Sequence, residues 1–317
     1  MRELADKSLE YLRNEMTIDP NKLIPQITSF IKKHMQKMER DGVILGLSGG
    51  LDSAVVAELC IRAVGAQKTL ALLMPEKDSS KVHLQDAIDL AKQFKLQSKM
   101  LDITPYLNKI GIYRTFPFDT LIPKGLRESL VKKVFTWFNN KTGTSYFSRT
   151  LHGSDSGMKG EIINRSFAYY RAKHRLRMLL LYLFGERDNR LVVGAANKSE
   201  YMVGFFVKYG IDASTDIMPI MGLYKTQVIE LARHLGIPTH IINKQPSPDL
   251  IPGLVDENAI GLPYSKMDLI LLAIEKGWSD EEMTQVLSKA DITFNNILYV
   301  RDLMKQSEHM RTVYIPD

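Results

Sequence analysis

A glycine-rich turn between an apolar run and a helix constrains this chain more than any other feature. Residues 43–47 form the apolar run, which is typical of a buried parallel strand. Ser48-Gly49-Gly50 follows as the turn, and residues 52–60 have the pattern of a helix. Glycines let a phosphate approach the backbone, and the N–H groups and dipole at a helix N-terminus favour an anion. The stretch therefore predicts a phosphate-binding loop.

The residues around the glycines strengthen this interpretation. The Walker A pattern G-x-x-x-x-G-K-[ST] is absent, and Asp52 and Ser53 follow the turn instead. They offer a carboxylate for Mg²⁺ and a hydroxyl donor. Gly-Gly alone is more often an ordinary strand–turn–helix junction, but with Ser48 before it and Asp52-Ser53 after it we favour the phosphate site.

Apolar runs and helical periodicities alternate along much of the chain. They predict strands at 43–47, 69–74, 97–103 and 191–194, and helices at 21–38, 52–60, 80–94, 126–138, 166–184, 225–235 and 265–276. This alternation predicts an α/β fold with a doubly wound parallel sheet flanked by helices. Residues 105–165 interrupt the pattern, and we expect them to be an insertion in a single domain of residues 1–317.

Composition disfavours several classes of protein. The net charge of +6 suits anionic ligands, but Lys and Arg are spread along the chain, so no nucleic-acid partner is expected. The longest apolar run, near 178–184, is too short to cross a bilayer, and no membrane partner is expected. The single cysteine, Cys60, rules out an intrachain disulfide and favours a reducing, cytoplasmic location.

The loop at residues 48–53 resembles the pyrophosphate loop of the N-type ATP pyrophosphatases. These enzymes cleave ATP between the α- and β-phosphates and form adenylates. The resemblance implies an adenine nucleotide alpha hydrolase-like, Rossmann-like fold. Sulfur-transferring and glutamine-hydrolysing members need reactive cysteines, whereas Cys60 falls within the helix after the loop. No glutaminase or nitrilase domain is therefore expected, and the implied amine is ammonia from solution.

Further segments narrow the resemblance to one family. They lie at residues 175–178, 193–200, 204–210, 216–220, 223–228, 244–250, 261–264 and 307–311. Their order and spacing are similar to those of the NAD⁺ synthetases. That family implies ATP-dependent amidation of deamido-NAD to NAD⁺, through an adenylated intermediate and with release of AMP and pyrophosphate. It also implies a homodimer with the dinucleotide at the interface.

The resemblance assigns roles to individual residues. For ATP, the co-substrate, it implies contacts with Gly46, Leu47, Ser48, Gly49, Gly50, Leu51, Asp52, Ser53, Met74, Ala195, Lys225 and Ser247. For deamido-NAD it implies contacts with Arg175, Lys208, Asp216, His309 and Met310. Asp52 and Glu200 are the implied ligands of Mg²⁺, and Asp52, Glu200 and Lys225 are the implied catalytic residues.

Four positions depart from the family pattern. Ala195 replaces a threonine, Pro248 an alanine, Met310 a lysine, and Arg171 an asparagine. Since a lost charge-assisted contact costs about 1.5–3 kcal/mol, these changes leave open a related ligase that adenylates a different carboxylate. A non-catalytic, nucleotide-binding regulatory protein is a third interpretation, which the two carboxylates for Mg²⁺ disfavour.

The insertion at 105–165 is rich in aromatic residues. They are Tyr113, Phe116, Phe118, Phe135, Trp137, Phe138, Tyr146 and Phe147. Connections longer than about 12–15 residues are usually functional or disordered. We expect the insertion to form a lid or an additional dimer contact, with its aromatic rings more often buried than stacked on a base.

Overall fold

The structure is a computed structural model that describes residues 8–115, 146–151, 158–211, 213–247 and 255–315. The helix predicted at 126–138 and Pro248 lie outside these residues. The described strands are β1 (Gly42–Gly46), β2 (Thr69–Leu73), β3 (Gln97–Met100) and β4 (Arg190–Val193). The described α-helices are α1 (Leu9–Met16), α2 (Pro20–Lys37), α3 (Leu51–Val64), α4 (Lys81–Gln93), α5 (Thr104–Ile110), α6 (Ile112–Thr115), α7 (Tyr146–Leu151), α8 (Met158–Arg187), α9 (Lys198–Val203), α10 (Lys225–Leu235), α11 (Thr239–Ile242), α12 (Asp256–Ile260), α13 (Tyr264–Glu275), α14 (Asp280–Leu287), α15 (Phe294–Gln306) and α16 (Glu308–Arg311).

The four strands form one parallel sheet in the order β3-β2-β1-β4. Val43 pairs with Thr69 on one side of β1 and with Leu191 on the other. The chain moves outward from β1 to β3 and then returns to place β4 on the opposite side of β1. Winding therefore reverses between β1 and β4, and α/β proteins bind ligands beyond the carboxyl ends of the strands at such a point. The predicted doubly wound α/β sheet is confirmed.

Alternate side chains of the strands supply two separate hydrophobic cores. Val43 and Leu45 face α2, α3, α4 and α10. Ile44 and Val192 point to the opposite face, where α8 packs with Leu181 and Phe184. Burial on both faces explains why β1, β2 and β4 are continuous apolar runs in the sequence.

Strand β3 differs from its neighbours because it is a sheet edge. All four of its residues are exposed. It also ends at Met100, whereas the sequence predicts a strand to residue 103. Polar side chains at an exposed edge discourage pairing with another chain, which accounts for Gln97, Ser98 and Lys99 in this strand.

A third hydrophobic core lies beside the sheet layers. It joins α1 and α9 to the C-terminal helices, with Leu271, Met283 and Leu303 fully buried at its centre. This core holds α9 and α13 against each other. None of the helices in the described part of the chain is long and apolar enough to cross a membrane.

Two described helices of the insertion, α6 and α7, pack against the fold. Tyr113 of α6 donates a hydrogen bond to Glu76 Oε2 at 2.8 Å. Phe147 of α7 is 6% exposed and makes an edge contact with Phe205, with ring centroids 4.9 Å apart. Both described aromatic rings therefore pack against the protein. The stretch 116–145, which contains most of the other rings, is outside the described residues.

Replacing Leu72 with alanine should destabilise the fold strongly. Leu72 is fully buried in the core between the sheet and α8. The substitution leaves a cavity, so we expect the free energy of unfolding to fall by about 2–5 kcal/mol. Urea denaturation measures this change. Val82→Ala is the control: Val82 is 63% exposed, and we expect a change within about 0.5 kcal/mol. Equal effects of the two substitutions would contradict the assigned core.

Candidate active site

A cavity of about 340 Å³ opens at the carboxyl ends of the strands, where winding reverses between β1 and β4. Of the residues expected to contact ATP, it is lined by Gly46, Leu47, Ser48, Gly50, Leu51, Asp52, Ser53, Met74, Ala195, Lys225 and Ser247. Glu200 and Asp256 also line it. The fold thus gathers residues as far apart in the sequence as Gly46 and Asp256.

The turn at Ser48-Gly49-Gly50 requires glycine at its centre. Gly49 has φ +78°, and a Cβ atom there would lie 2.1 Å from the carbonyl oxygen of His83. Ser48 Oγ accepts a hydrogen bond from Gly50 N at 3.2 Å and lies 3.1 Å from Ser53 Oγ. These contacts hold the loop tightly over the first turn of α3, whose N-cap, Gly50, makes no side-chain cap. That helix end suits an anion.

A buried lysine joins the two carboxylates that the sequence singles out. Lys225 Nζ, at the start of α10, donates to Asp52 Oδ2 at 2.5 Å and to Glu200 Oε1 at 3.2 Å. The lysine side chain is 2% exposed, and those of Asp52 and Glu200 are 20% and 16% exposed. The predicted catalytic set therefore forms one contiguous cluster on the cavity wall.

Neighbouring side chains fix the geometry of this cluster. Asn197 caps α9 by accepting from Glu200 N at 3.0 Å, and its amide donates to Asp52 Oδ1 at 3.3 Å. The hydroxyl of Tyr264 lies 3.3 Å from Glu200 Oε1 and 3.2 Å from Asp256 Oδ2. The cluster thus combines residues from α3, α9, α10, α12 and α13.

The cluster carries more negative than positive charge. Burial raises the pKa of Glu200 to about 8; Lys225 opposes this rise, whereas Asp52 and Asp256 add to it. Burial also raises the pKa of Asp256 to about 6. For Lys225, burial lowers the pKa, but the charges of Asp52 and Glu200 outweigh it and keep the ammonium protonated. Burial and mutual repulsion thus hold Glu200 partly protonated at neutral pH, and a further cation in the site would favour the ionised forms of Glu200 and Asp256.

The donor set fits a hard divalent cation that brings other ligands with it. Mg²⁺ prefers oxygen ligands, and in proteins it is usually bound by one or two carboxylates together with phosphate and water. Asp256 Oδ1 is buried without a hydrogen-bond partner within the described residues. In the same part of the chain, no group of three His, Cys, Asp or Glu side chains is arranged to hold a metal by itself. A metal here would therefore depend on phosphate oxygens.

One face of α8 gives the cavity basic and aromatic side chains to which the sequence analysis gave no site role. Phe167, Tyr170, Arg171, His174 and Arg177 recur at helical spacing along this face. Arg177 Nε donates to the carbonyl of Met74, one of the residues expected to contact ATP, at 3.1 Å. Arg171 places a guanidinium where the family pattern has an asparagine. The spacing of these residues was the available sequence signal.

Lys244 is a second cation to which the sequence analysis gave no role. It lines the cavity, and Nζ donates to the carbonyl of Gly49 at 2.8 Å and to Asp86 Oδ2. The side chain therefore fastens the segment before Ser247 to the glycine loop. It lies in a segment that carries the family resemblance, which was the only sequence signal for it.

The loop after β2 is fastened to α8 by a buried ion cluster. Lys173 Nζ donates to Glu76 Oε1 at 2.9 Å and to Asp78 Oδ2 at 2.8 Å, and Tyr169 OH donates to Asp78. Burial raises the pKa of Asp78, but the charge and hydrogen bond of Lys173 outweigh burial and lower it. This cluster holds the wall of the cavity beside Met74.

The residues expected to contact deamido-NAD lie outside the cavity lining. Arg175 Nε donates to the carbonyl of Lys208 at 3.3 Å, and Lys208 Nζ donates to the carbonyls of His309 and Thr312 at 2.6 Å each. Arg175, Lys208 and His309 thus form a second, more exposed group around α16. Their role stays a prediction.

Two of the expected dinucleotide residues have structural contacts. Asp216 Oδ2 accepts from Val192 N at 2.9 Å, and Oδ1 accepts from Tyr182 OH at 3.0 Å, so its carboxylate joins β4 to α8. Met310 is 7% exposed and packs in the C-terminal core. The replacement of the family's lysine by Met310 is therefore compatible with burial of this side chain.

Cys60 has no features of a nucleophile. It is fully buried within α3, and burial raises the pKa of its thiol to about 12. The thiolate, which is the reactive form, is therefore strongly disfavoured. Cys60 itself is therefore not placed to act as the nucleophile of a sulfur-transfer or glutamine-hydrolysis reaction.

Comparisons with known proteins show the family to which this chain belongs. The family model described as NAD synthase matches residues 23–115 and 132–314. The NH(3)-dependent NAD(+) synthetase of Thermotoga maritima is 41% identical over 281 residues, which cover 87% of this chain and 96% of that protein. The enzyme of the same name from Methanocaldococcus jannaschii is 34% identical, covering 92% of this chain and 94% of its own. The chain therefore belongs to the NAD synthase family.

Solved structures agree on the fold. The NH3-dependent NAD synthetase of Campylobacter jejuni, in complex with the nitrate ion, superposes with a TM-score of 0.63 at 25% identity and covers 95% of this chain and 99% of its own. The NMN synthetase of Francisella tularensis gives a TM-score of 0.68 at 22% identity, with 95% of this chain and 99% of that one covered. The second likeness concerns the fold alone.

Replacing Gly49 with alanine should disrupt the loop more than a comparable change elsewhere. The new methyl group would collide with the His83 carbonyl, in addition to adopting a positive φ. Gly236→Ala is the matched control, because Gly236 has φ +76° but no atom within 4 Å of the added Cβ. We expect a cost of about 1–2 kcal/mol in unfolding free energy for the control and a larger cost for Gly49→Ala. Weaker ATP binding, measured by calorimetry, should occur only for Gly49→Ala; unchanged binding would contradict the assigned loop.

Proposed function

We propose that this chain converts deamido-NAD to NAD⁺ with ATP and ammonia, as an ammonia-dependent NAD⁺ synthetase with Mg²⁺ as cofactor. The name shared by the Thermotoga and Methanocaldococcus relatives supports the reaction. The observation that carries the proposal is the buried Lys225 ammonium between Asp52 and Glu200, on the wall of a cavity beside a glycine turn. A cytoplasmic location is proposed with it, in keeping with a single reduced cysteine.

In the first step, the nicotinate carboxylate of deamido-NAD attacks the α-phosphorus of ATP. The bond to the β-phosphate oxygen breaks, and pyrophosphate leaves with the electron pair. Lys225 and the N–H groups at the start of α3 stabilise the charge that develops on the phosphate oxygens, because they are already oriented before reaction. Asp52 and Glu200 would hold Mg²⁺, which would supply Lewis-acid stabilisation of the phosphates.

In the second step, ammonia attacks the activated carbonyl carbon, the bond from that carbon to the phosphate oxygen breaks, AMP leaves with the electron pair, and the nitrogen loses one proton to solvent. This step needs a neutral amine close to the carbonyl, which positioning alone accelerates. Phe205, Phe206 and Val207 line the cavity and give it an apolar wall. Such a wall disfavours the charged ammonium ion and limits access of the water that would hydrolyse the adenylate.

The proposal takes residues 1–317 as one synthetase domain, with an insertion at about 105–165, that acts as a homodimer. Leu179 and Leu183 are 64% and 54% exposed on α8. Together with Arg175 they are spaced four residues apart, so the three side chains lie along one stripe of the helix. A second copy that covers the leucines would lie beside Arg175, and the dinucleotide site around Arg175 and Lys208 would then adjoin the interface.

Removing either carboxylate of the cluster should abolish most of the activity. Asp52→Asn and Glu200→Gln keep the side-chain shape but delete the charge, and we expect kcat to fall on the order of 100-fold or more in each. Formation of NAD⁺ and AMP from deamido-NAD, ATP, Mg²⁺ and ammonium measures this. Asp188→Asn is the control, since Asp188 pairs with Arg187 at the surface. Formation of ADP in place of AMP by the unmodified protein would reject the adenylation chemistry.

A charge on the exposed leucine stripe should separate the dimer. Leu179→Glu with Leu183→Glu places two like charges on the proposed interface, so we expect a monomer in analytical ultracentrifugation and a raised KM for deamido-NAD. Val82→Glu, at an exposed site on α4, should leave both unchanged. A doubly substituted protein that sediments like the unmodified one would contradict the proposed interface.

A further inference from the structure

Asp268 is a buried carboxylate behind the lysine cluster, without contact to the cavity. It is fully buried on α13, in a run of apolar residues that includes Met267 and Ile270. Buried carboxylates persist where several donors satisfy them. The donors to Asp268 come from two other helices, and they adjoin Glu200 and Lys225.

The contacts of Asp268 connect the starts of α9 and α10. Its Oδ1 accepts from Ser199 Oγ at 2.5 Å, and its Oδ2 accepts from Thr226 N at 2.9 Å and from Thr226 Oγ1 at 2.8 Å. Ser199 Oγ in turn accepts from Lys225 N at 2.8 Å. The first N–H groups of α10 have no partner within their own helix. Asp268 therefore caps the start of α10 from another helix. It accepts directly from Thr226 N, and Ser199 links it to Lys225 N.

These hydrogen bonds restrain the positions of two neighbouring site residues, Glu200 and Lys225. Ser199 precedes Glu200, and Thr226 follows Lys225, so one carboxylate restrains the backbone at both positions. Tyr264, one turn earlier on α13, contacts Glu200 Oε1 at 3.3 Å. The same helix thus supports the cluster at two points, and neither Asp268 nor Ser199 lines the cavity.

We propose that Asp268 is a positioning residue for the reaction, acting through Ser199 and Thr226 to place Lys225 Nζ between Asp52 and Glu200. This inference rests on the catalytic role proposed for Lys225. Loss of the link lets the start of α10 shift, and displacement of a stabilising group by about 1 Å costs up to roughly 100-fold in rate. The effect should fall on kcat, because Lys225 acts on charge that develops during reaction.

Kinetics of matched variants test the inference. We expect Asp268→Ala to lower kcat roughly 10- to 100-fold with little change in KM for deamido-NAD. Asp268→Asn should recover most of the lost kcat, because its carbonyl oxygen can accept from Thr226 and its amide can donate to Ser199. Ser199→Ala should lower kcat by a smaller factor, and it serves as the test if Asp268→Ala does not fold. Thr293→Ala, which removes a cap from α15, controls for general destabilisation and should leave kcat unchanged.

A double-mutant cycle separates positioning from general damage. In a Lys225→Ala background, Asp268→Ala should have little further effect on kcat, because the group that it positions is gone. In a crystal structure of Asp268→Ala, Lys225 Nζ should lie farther from Asp52 Oδ2 than in the unmodified protein. Additive losses of kcat, or an unmoved Lys225, would overturn the inference. An unchanged kcat in Lys225→Ala alone would instead reject the catalytic role proposed for that lysine.

Discussion

The buried ion cluster of Lys225, Asp52 and Glu200 is the interaction on which the site depends. Lys225 is almost completely excluded from solvent, so its charge is tolerable only because the two carboxylates contact it. Burial and the neighbouring carboxylates in turn raise the pKa of Glu200 and of Asp256, because the single ammonium does not offset them. We therefore propose that the site receives a cation together with a phosphate. Charge that is held in place before reaction can stabilise a transition state without reorganisation.

The fold concentrates these residues by placing loops at a reversal of winding. Asp52 belongs to the first turn of the helix after β1, and Glu200 follows β4, the strand on the other side of the reversal. Lys225 starts the helix that packs beside α3 in the same core. Three helix starts therefore converge beyond the carboxyl ends of the strands. The glycine turn is the part of this arrangement where we propose that backbone, and not side chains, contacts the phosphates.

Local features were predictable because their physics is local. The apolar run, the turn at Gly49 and the following helix were read directly from neighbouring residues. The structure gives a further reason for glycine at position 49 that the local sequence does not show. A Cβ atom there would collide with the carbonyl oxygen of His83, which lies on another helix. The strand at residues 97–103 was predicted too long, and its edge position came only from the structure, although residues 97–99 are polar.

Other parts of the site required the tertiary structure. The resemblance to a known family identified Asp52, Glu200 and Lys225 as candidate site residues. No rule of sequence spacing, however, indicates that Asp268 caps α10 from another helix. A carboxylate in the apolar run of α13 was the available signal, and it does not identify the partner. The basic face of α8 was likewise visible as a helical repeat, whereas its orientation toward the cavity depends on how α8 packs on the sheet.

A crystal structure with Mg²⁺ and a non-hydrolysable ATP analogue tests the central claim most directly. The account predicts a metal ion with oxygen ligands from Asp52 and Glu200 at about 2.1 Å. It also predicts that Lys225 Nζ contacts the phosphates, with the triphosphate lying on the Gly49 turn. The central claim would be contradicted if the phosphates bound away from the Gly49 turn. It would also be contradicted if Lys225 still contacted both carboxylates and no metal lay between Asp52 and Glu200.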